Sequence, residues 1–249
     1  MSYNPYSLEN KTILITGASS GIGKATAIES SKLGAKVVIT GRNEERLNET
    51  YINLDGNGHI KIIADVSTDE GLDTIINNCP FIDGFVNNAG IIKTIPIQFI
   101  TREKIDELMS VNLDSMILLF AKLLKKKKLP KGSSVVFTSS IGGTKVGTIG
   151  NSLYDSSKAA ISGFIKTSAI ELAPKNIRVN CVCPGMINTN LFNEGAVTEQ
   201  QFQEDSKKYP LGRYGNPEEV AWAIIYLLSN ASSFITGSEL VIDGGFSIK

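Results

Sequence analysis

Histidine is almost absent from this chain of 249 residues, which contains a single one, His59. One histidine excludes a histidine-rich metal site and argues against a Ser-His-Asp triad, because both depend on imidazole side chains. His59 lies in GNGHIKII, a turn that enters a strand, so we interpret it as a structural residue.

Cysteine is also scarce. The three cysteines, Cys79, Cys181 and Cys183, are odd in number and belong to a large chain, so they predict no disulfide framework. Cys181 and Cys183 are two residues apart and would share one face of a strand. A metal site there would need further ligands, so buried reduced thiols are the favoured interpretation. We therefore expect no bound metal.

The chain lacks an excess of charge of either sign, and it lacks long hydrophobic runs. Lys plus Arg and Asp plus Glu both number 25, so the charge does not favour nucleic acid or an acidic surface as a partner. No apolar run is long enough to span a bilayer, and MSYNPYSLENK has no basic segment followed by an apolar core. The sequence predicts a cytoplasmic protein with no membrane or nucleic-acid partner.

The sequence does contain a regular alternation of short apolar runs and longer amphipathic ones. Several short runs are continuous in Val and Ile, as expected for strands covered on both faces. Strand-helix alternation implies right-handed crossovers, and no linker divides the chain. We predict one α/β domain over residues 1–249, a Rossmann-type, doubly wound parallel sheet with helices on both faces. The predicted strands are residues 12–16, 36–40, 60–64, 84–87, 134–139, 178–183 and 239–242, and the predicted helices are residues 21–33, 44–54, 68–78, 101–128, 151–173 and 217–228.

Two segments do not follow this alternation. Residues 188–208 are polar with scattered Leu191, Phe192 and Phe202, and they lie after a strand and before the last helix. Their position predicts a lid over a site at the carboxyl edge of the sheet, and a plain surface excursion is the alternative. The four lysines at 125–128 end a helix, which fits solvation and the helix C-terminus better than a phosphate site.

A glycine-rich turn, ILITGASSGIGKATA, joins the first strand to the first helix. Gly17 permits a tight turn, while Gly21 and Gly23 let the backbone approach a ligand and the sheet. The amides at the start of the helix would then face a pyrophosphate, and Ser19 and Ser20 add hydroxyl donors. Glycine-rich loops are common, but the strand before this one and the long helix after it favour a phosphate site.

Tyr154 and Lys158 are four residues apart, so on a helix they share one face. A free tyrosine has a pKa of about 10, which is too high for efficient proton exchange near neutrality. An ammonium about 4 Å away would stabilise the phenolate by on the order of 4 kcal/mol, and burial would work against that effect. The two residues are a candidate acid-base pair, and a solvated tyrosine beside a lysine is the alternative.

Ordered motifs from about residue 11 to the end closely resemble the short-chain dehydrogenase/reductase family: TGASSGIG at 16–23, DV at 65–66, NNAG at 87–90, Asn112, Ser140, YDSSK at 154–158 and PGMINT at 184–189. The resemblance implies a seven-stranded parallel sheet and hydride transfer between NAD(P) and an alcohol or carbonyl. It is strongest to the branch of 3-oxoacyl-carrier-protein reductases. A dehydrogenase of sugars, polyols or hydroxysteroids is the alternative, and a non-catalytic cofactor sensor would not need every catalytic residue of the motif.

The resemblance implies four catalytic residues. Tyr154 would be the general acid in reduction and the base in oxidation, while Lys158 would hold the nicotinamide ribose and lower the pKa of the tyrosine. Ser140 would hydrogen-bond the substrate carbonyl and steady its oxyanion. The adjacent Ser139 is the alternative, because the loop to Tyr154 looks one residue longer than usual; IGG follows Ser140 as in the family motif. Asn112 would bind a water that links Lys158 to solvent.

The resemblance also implies a cofactor site. Gly41 stands where NAD-preferring members carry an aspartate, and Arg42 can offer a planar fork to a 2′-phosphate, so we predict NADP. A solvated arginine at a helix start is the alternative, and Ser20 stands where NADP-using relatives often carry a basic residue. Asp65 and Val66 would meet the adenine. The whole predicted set is Gly17, Ser19, Ser20, Gly21, Ile22, Gly23, Arg42, Asp65, Val66, Asn88 and Gly90 (on the ribose side), Tyr154, Lys158, Pro184, Gly185, Ile187 and Thr189 (at the carboxamide).

The predicted partners are a small carbonyl or alcohol substrate and further copies of this chain. The family is mostly tetrameric through its two long central helices, and the runs at 116–124 and 160–165 are more apolar than one sheet-facing stripe requires. The alternative is that these runs belong entirely to the intramolecular core. The residues expected near the substrate are Ile91, Ile92, Met186 and Phe192, with Lys93 and Lys145 also approaching.

Overall fold

The structure, a computed structural model, describes residues 3–189 and 204–249. Its strands are β1 (Thr12–Thr16), β2 (Lys36–Gly41), β3 (Ile60–Ile63), β4 (Gly84–Asn87), β5 (Ser134–Thr138), β6 (Arg178–Pro184) and β7 (Glu239–Ile242). All pair in parallel, in the order β3-β2-β1-β4-β5-β6-β7. The predicted seven-stranded, doubly wound sheet is confirmed, and each strand agrees with its prediction to within one residue.

Seven α-helices of the described residues connect these strands: α1 (Gly21–Lys32), α2 (Glu44–Ile52), α3 (Asp69–Asn78), α4 (Arg102–Met109), α5 (Ser115–Lys125), α6 (Ser152–Leu172) and α7 (Pro217–Leu228). The helix predicted over 101–128 is divided. A π-helical turn, Ser110–Asp114, separates α4 from α5, and the α-helix ends at Lys125. Lys127 then takes a left-handed backbone with φ of 55°, which a right-handed helix does not allow.

The core consists of two apolar layers, one on each face of the sheet. Successive strand residues point to opposite faces, so Leu14 belongs to one layer while Ile13 and Ile15 belong to the other. The Leu14 layer contains fully buried phenylalanines from neighbouring strands, Phe85 and Phe137, with ring centroids 6.2 Å apart in an edge-to-face arrangement. These layers hold the strand ends in fixed positions.

Both free thiols of β6 lie in this buried layer. Cys181 and Cys183 share one face as predicted, with their Sγ atoms 3.9 Å apart and no exposed surface. Within the described residues, no group of three or more His, Cys, Asp or Glu side chains is placed to hold a metal ion.

Three further predictions concern the lysine run at 125–128, membrane-spanning helices and the lid at 188–208. The ammonium of Lys128 donates a 2.6 Å hydrogen bond to the carbonyl of Cys79, so one of the four lysines has a structural partner. No helix in 3–189 or 204–249 has the length and apolarity to cross a membrane. Residues 190–203 of the predicted lid lie outside the described residues, so the lid at 188–208 stays a prediction.

Strand order reverses between β1 and β4, which are neighbours in the sheet but not in sequence. The connections that leave these two strands pass to opposite sides, and the crevice between them is where open α/β sheets bind ligands. The segments that follow β1 and β4 are in close contact, since a Cβ placed on Gly17 would lie 2.8 Å from the Cα of Ala89. The glycine-rich turn and the NNAG motif therefore meet at this crevice.

Candidate active site

The glycine-rich turn folds back on itself between β1 and α1. Gly17 and Gly21 have φ of 63° and 51°, in the left-handed region that favours glycine. A Cβ on Gly23 would lie 2.2 Å from the carbonyl oxygen of Gly17, so the first turn of α1 packs directly on the loop. Ser20 is the N-cap of α1 but makes no side-chain cap hydrogen bond. Uncapped amides at a helix N-terminus, beside backbone without side chains, fit the pyrophosphate of a dinucleotide.

Threonines at the ends of two strands hold the NNAG motif in place. The Thr16 hydroxyl accepts hydrogen bonds of 3.1 Å from the N–H groups of Asn88 and Ala89. Asn88 also receives a 3.3 Å bond from the Thr138 hydroxyl and donates to the carbonyl of Gly17 at 3.4 Å. Sequence reasoning missed Thr16 and Thr138, and their position at the last residue of a strand next to a motif is the signal that could have identified them.

The end of β2 forms the opposite side of the predicted cofactor site. Arg42 is exposed beyond Gly41, and its charge helps to lower the pKa of Asp65, although two hydrogen bonds from Ser67 lower it more. A Cβ on Gly41 would lie 3.4 Å from Cβ and Oγ of Ser19. Backbone geometry does not require glycine there, because Gly41 does not have a positive φ.

The segment after β6 closes the crevice from the other side. Thr189 packs on the glycine-rich turn, since a Cβ on Gly21 would lie 2.9 Å from its Cγ2. Ile187 is buried and bridges to Gly215, while Gly185 donates a 2.9 Å hydrogen bond to Ile242 in β7. The structure thus brings Thr189 to the glycine-rich turn, and the contacts of Gly185 and Ile187 anchor the segment.

Helix α6 presents Tyr154 and Lys158 at the carboxyl end of β5. Lys158 is 5% exposed, and its ammonium donates a 2.8 Å hydrogen bond to the carbonyl of Thr138. Burial lowers the pKa of Lys158 to about 8, because a charged amine is poorly solvated there. The ammonium lies 5.9 Å from the centroid of the Tyr154 ring.

Lys158 is not among the groups that shift the pKa of Tyr154 in this structure, so the expectation that it lowers this pKa stays a prediction. Burial is the largest influence, and it raises the pKa of Tyr154 because the phenolate would be poorly solvated. A hydrogen bond with Ser140 lowers the pKa, and the charge of Asp155 raises it. In this arrangement Tyr154 is a protonated phenol at neutral pH.

Ser139 and Ser140 have different environments. Ser139 is buried and donates a 2.8 Å hydrogen bond to the main-chain carbonyl of Lys158. Ser140 is partly exposed, its Oγ accepts from the N–H of Gly142 at 3.0 Å, and it hydrogen-bonds Tyr154. Of the two serines, Ser140 is therefore the one positioned to meet a ligand beside Tyr154.

Asn112 lies in the π-helical turn and is buried. Its amide group pairs with the backbone of Ile91 in both directions, at 2.8 Å and 2.9 Å, and also donates to Ser157 at 3.1 Å. A Cβ on Gly90 would lie 3.3 Å from the Lys158 ammonium and 3.4 Å from Asn112 Oδ1. Asn112, Lys158 and the NNAG motif therefore converge, and the Asn112 side chain fixes the loop after β4.

The family model described as enoyl-(acyl carrier protein) reductase matches residues 17–247. The chain belongs to the short-chain dehydrogenase/reductase family. This result confirms the family resemblance, and the chain is an oxidoreductase of that family.

Similar proteins of this family differ in their assigned activities. A 3-oxoacyl-[acyl-carrier-protein] reductase FabG from Rickettsia prowazekii is 37% identical, over 96% of this chain and 97% of the relative. Dehydrogenase/reductase SDR family member 6 from Danio rerio is 34% identical, over 97% and 99%. A solved structure with bound NADP, from Agrobacterium tumefaciens and assigned as a 2-deoxy-D-gluconate 3-dehydrogenase, has a TM-score of 0.87 at 30% identity, over 99% of this chain and all of that one.

Proposed function

We propose that this protein is an NADP-dependent reductase that transfers a hydride from the nicotinamide to a ketone of the 3-oxoacyl type. The observation that supports this proposal best is the convergence of three side chains at the same crevice as the glycine-rich turn: the Lys158 ammonium lies 5.9 Å from the centroid of the Tyr154 ring, and Ser140 is close enough to Tyr154 to lower its pKa. NADPH, when bound, supplies the hydride, so the protein has to position the carbonyl and provide a proton.

The proposed chemistry divides between two hydroxyl groups. Ser140 would donate a hydrogen bond to the substrate oxygen and stabilise the charge that develops on it. Tyr154 would give its phenolic proton to the same oxygen. Tyr154 is a protonated phenol near neutral pH, which is the form that can donate a proton in reduction.

Lys158 and Asn112 would support the two hydroxyl groups in different ways. The Lys158 ammonium lies beneath Gly90, where the nicotinamide ribose would approach, and could hold the ribose hydroxyls. Asn112 would keep the loop after β4 in place through its paired hydrogen bonds with Ile91. The expected role of Asn112 in binding a water that leads to Lys158 remains part of this proposal.

The proposed preference for NADP is supported by the end of β2. The backbone at Gly41 could accept a side chain, but glycine places no carboxylate there. A 2′-phosphate at this position would therefore meet no negative charge from residue 41. Arg42 is exposed, and none of the ion pairs among residues 3–189 and 204–249 includes it. Its guanidinium is therefore available for bidentate contact with a phosphate.

The surroundings of the crevice support a substrate with an apolar portion. Lys93 pairs with Glu107, and Lys145 lies 3.7 Å from Glu239, so both lysines expected near the substrate have acidic partners. Apolar side chains remain exposed on the two loops that border the crevice: Ile92, Ile97, Phe99 and Ile149. These loops lie together, since Ile95 donates a 2.6 Å hydrogen bond to Gly150. Phe192 lies outside the described residues.

The test is a panel of carbonyl substrates with purified protein and NADPH, followed by the absorbance of the reduced cofactor. The panel contains a 3-oxoacyl thioester, a 2-enoyl thioester, a keto sugar and a steroid ketone. Highest kcat/KM on the 3-oxoacyl thioester would support the proposal. The keto sugar or steroid would support the alternative of a sugar, polyol or hydroxysteroid dehydrogenase, for which the Agrobacterium structure gives a precedent. No oxidation of NADPH with any carbonyl would contradict the enzymatic proposal.

We also propose that the protein is cytoplasmic and forms a homotetramer through α5 and α6. Half of the apolar residues in 116–124 and 160–165 are buried within the chain, which agrees in part with the intramolecular alternative. Two large apolar side chains on these helices remain exposed, Leu118 at 45% and Ile170 at 76%. They would form part of the second buried face that the proposal requires.

A further inference from the structure

The chain ends in a turn that packs against residues 205–214, and the proposed mechanism gives this turn no role. Residues 243–249 come directly after β7, and Gly245 has a left-handed backbone with φ of 84°. The Asp243 carboxylate closes the turn, because it accepts hydrogen bonds from the N–H groups of Gly245 at 2.9 Å and Ser247 at 2.8 Å. The end of the chain therefore has a defined conformation, which can hold other parts of the protein in place.

An aromatic cluster joins this turn to residues 205–214. The ring of Phe246 stacks on the ring of Tyr209, with centroids 4.7 Å apart and planes at 30°. Tyr209 in turn meets Tyr214 edge to face at 5.2 Å, and both tyrosines are buried. Aromatic pairs in such geometries attract each other beyond the burial of their surfaces. A change at Phe246 is therefore passed to Tyr214 through one ring.

The backbone of the turn contacts the same residues. The N–H of Leu211 donates a 3.2 Å hydrogen bond to the carbonyl of Gly244. A Cβ on Gly245 would lie 3.0 Å from Cγ of Pro210, so the two backbones are in close contact. Both the side chain of Phe246 and the backbone of the turn thus hold residues 209–211.

Residue 215 connects this cluster to the segment after β6, residues 185–189. Gly215 follows Tyr214 directly, and its N–H donates a 3.1 Å hydrogen bond to the carbonyl of Met186. Its own carbonyl accepts a 2.7 Å hydrogen bond from the N–H of Asn188. The position of the segment after β6 therefore depends on the position of Gly215.

The turn also touches the segment after β6 directly. A Cβ on Gly185 would lie 3.0 Å from Cβ of Asp243, the first residue of the turn. Two side chains of this segment are predicted to meet ligands: Met186 near the substrate and Thr189 at the carboxamide of the cofactor. The turn at the end of the chain is therefore in contact, directly and through Gly215, with a segment that is predicted to border both ligands.

We propose that residues 243–249 position the segment after β6 for its ligands, with Phe246 as the positioning residue that acts through Tyr209. The alternative is that Phe246 only fills space, since it also packs on the Leu14 layer of the core. The effect on ligand binding rests on the proposed function, whereas the effect on the segment itself does not.

The experiment compares Phe246→Leu, which keeps an apolar side chain but removes the ring, with Phe246→Tyr, which keeps the ring. Phe81→Leu, at a 69% exposed phenylalanine between α3 and β4, is the matched control. Hydrogen exchange, followed by mass spectrometry of peptides that cover 185–189 and 209–216, reports on the amides of Asn188 and Gly215. These amides exchange when the hydrogen bonds between the two segments open.

Phe246→Leu should speed exchange in both peptides by about 2- to 10-fold, the range that corresponds to the loss of one aromatic pair. Peptides of β1 and α6 should not change, and Phe246→Tyr and Phe81→Leu should exchange as wild type does. Wild-type exchange at 185–189 in Phe246→Leu would overturn the proposal. Faster exchange in every peptide would also overturn it, because the effect would then be a general loss of stability.

Lys249→Met is a second variant, and it changes an exposed side chain. The Lys249 ammonium lies 4.5 Å from the centroid of the Phe246 ring and donates to the carbonyl of Lys208. Its removal should speed exchange at 209–216 in the same direction as Phe246→Leu, but by less. If Phe246→Leu does not fold, unchanged exchange at 209–216 in Lys249→Met would overturn the proposal.

Ligand binding adds a readout that a space-filling role would not change. In Phe246→Leu, the KM of the best substrate of the panel and the Kd of NADPH, from cofactor fluorescence, should both rise by about 2- to 10-fold. The value of kcat should change by less than about twofold, because Ser140, Tyr154 and Lys158 lie outside this segment. Unchanged KM and Kd, with or without a fall in kcat, would overturn the proposal. The absence of turnover in wild type would contradict the proposed function alone, because hydrogen exchange requires neither substrate nor cofactor.

Discussion

The hydroxyl of Ser139 donates a 2.8 Å hydrogen bond to the main-chain carbonyl of Lys158, in the buried contact between β5 and α6. Its neighbour Ser140 points instead towards Tyr154. Ser139 therefore has a structural contact, whereas Ser140 faces the proposed catalytic residue. Alanine variants of these adjacent serines form a matched pair.

We expect Ser140→Ala to lower kcat by about 10²–10³-fold with little change in stability, the loss found when one oxyanion donor is removed. Ser139→Ala should retain turnover but lose about 1–3 kcal/mol of unfolding free energy, because the Lys158 carbonyl loses a buried donor. Steady-state kinetics and urea denaturation of both variants would test this. The reverse result, with Ser139→Ala as the inactive variant, would assign the oxyanion contact to Ser139.

Tyr154→Phe removes the proton donor and keeps the ring. Turnover should fall by about 10²–10⁴-fold, the contribution typical of general acid-base catalysis, while NADPH still binds. The control is Tyr51→Phe, which removes an exposed hydroxyl that donates to the carbonyl of His59 at 3.2 Å. Rates would be followed by NADPH absorbance and binding by cofactor fluorescence. Near-normal turnover in Tyr154→Phe would contradict the assignment.

Burial of Lys158 should make stability depend on pH in a defined direction. Its pKa is about 8 in the folded protein and 10.5 when unperturbed, so between these values the unfolded chain binds a proton that the folded chain does not. The unfolding free energy should therefore rise with pH across this window. Below it, the buried charge costs on the order of 3 kcal/mol.

Lys158→Met removes this cost together with the amine. We expect the variant to be inactive, more stable than wild type at pH 7, and close to wild type in stability near pH 10.5. Lys126→Met, at an exposed position after α5, should change neither property. Urea denaturation at a series of pH values measures the difference, and a difference that stays constant with pH would show that Lys158 titrates normally.

Arg42→Ala tests the cofactor preference. The loss should be about 1.5–3 kcal/mol in kcat/KM with NADPH, the scale of a hydrogen bond to a charged group, and NADH should be spared. Arg46→Ala, an exposed arginine of α2, is the control, and Gly41→Asp should shift the preference towards NADH. The prediction is wrong if wild type prefers NADH or if Arg42→Ala weakens both cofactors equally.

The mass in solution tests assembly. Light scattering at micromolar concentration should give about four times the chain mass of 26.8 kDa. Leu118→Lys, on the exposed side of α5, should reduce the assembly, and Ile52→Lys, at the 72% exposed end of α2, should not. A mass of one chain for wild type would exclude the tetramer.

Local sequence patterns were enough to predict the positions of the strands. They were also enough to predict that the glycine-rich turn and the Tyr154 motif lie at the same edge of the sheet. Continuous Val and Ile runs mark buried parallel strands, and parallel strands bring their carboxyl ends to one edge, so Tyr154 had to lie near the glycine-rich turn. Periodicity is less informative about helix irregularities. It predicted one helix over 101–128 and gave no sign of the π-helical turn around Asn112, because one extra residue only shifts the apolar stripe.

Electrostatics were harder to predict. The spacing of Tyr154 and Lys158 placed them on one face of a helix, but it did not reveal that the ammonium would hydrogen-bond Thr138 or that burial would dominate both pKa values. Lys145, for which an approach to the substrate stays a prediction, lies near Glu239, which is separated by 94 positions in sequence. Such long-range partners depend on packing that no local pattern encodes.

The π-helical turn at Ser110–Asp114 makes this part of the chain sensitive to its length. A π-helical turn holds one residue more than an α-helical one, and each residue of an α-helix turns the chain by about 100°. Deleting one residue here would restore regular helix and rotate α4 relative to α5. The fully buried Leu108 of α4 would then leave its position in the core. A substitution in this turn can be accommodated by small movements of neighbouring side chains. An insertion or deletion would instead move α4 as a unit and change the shape of the crevice beside it.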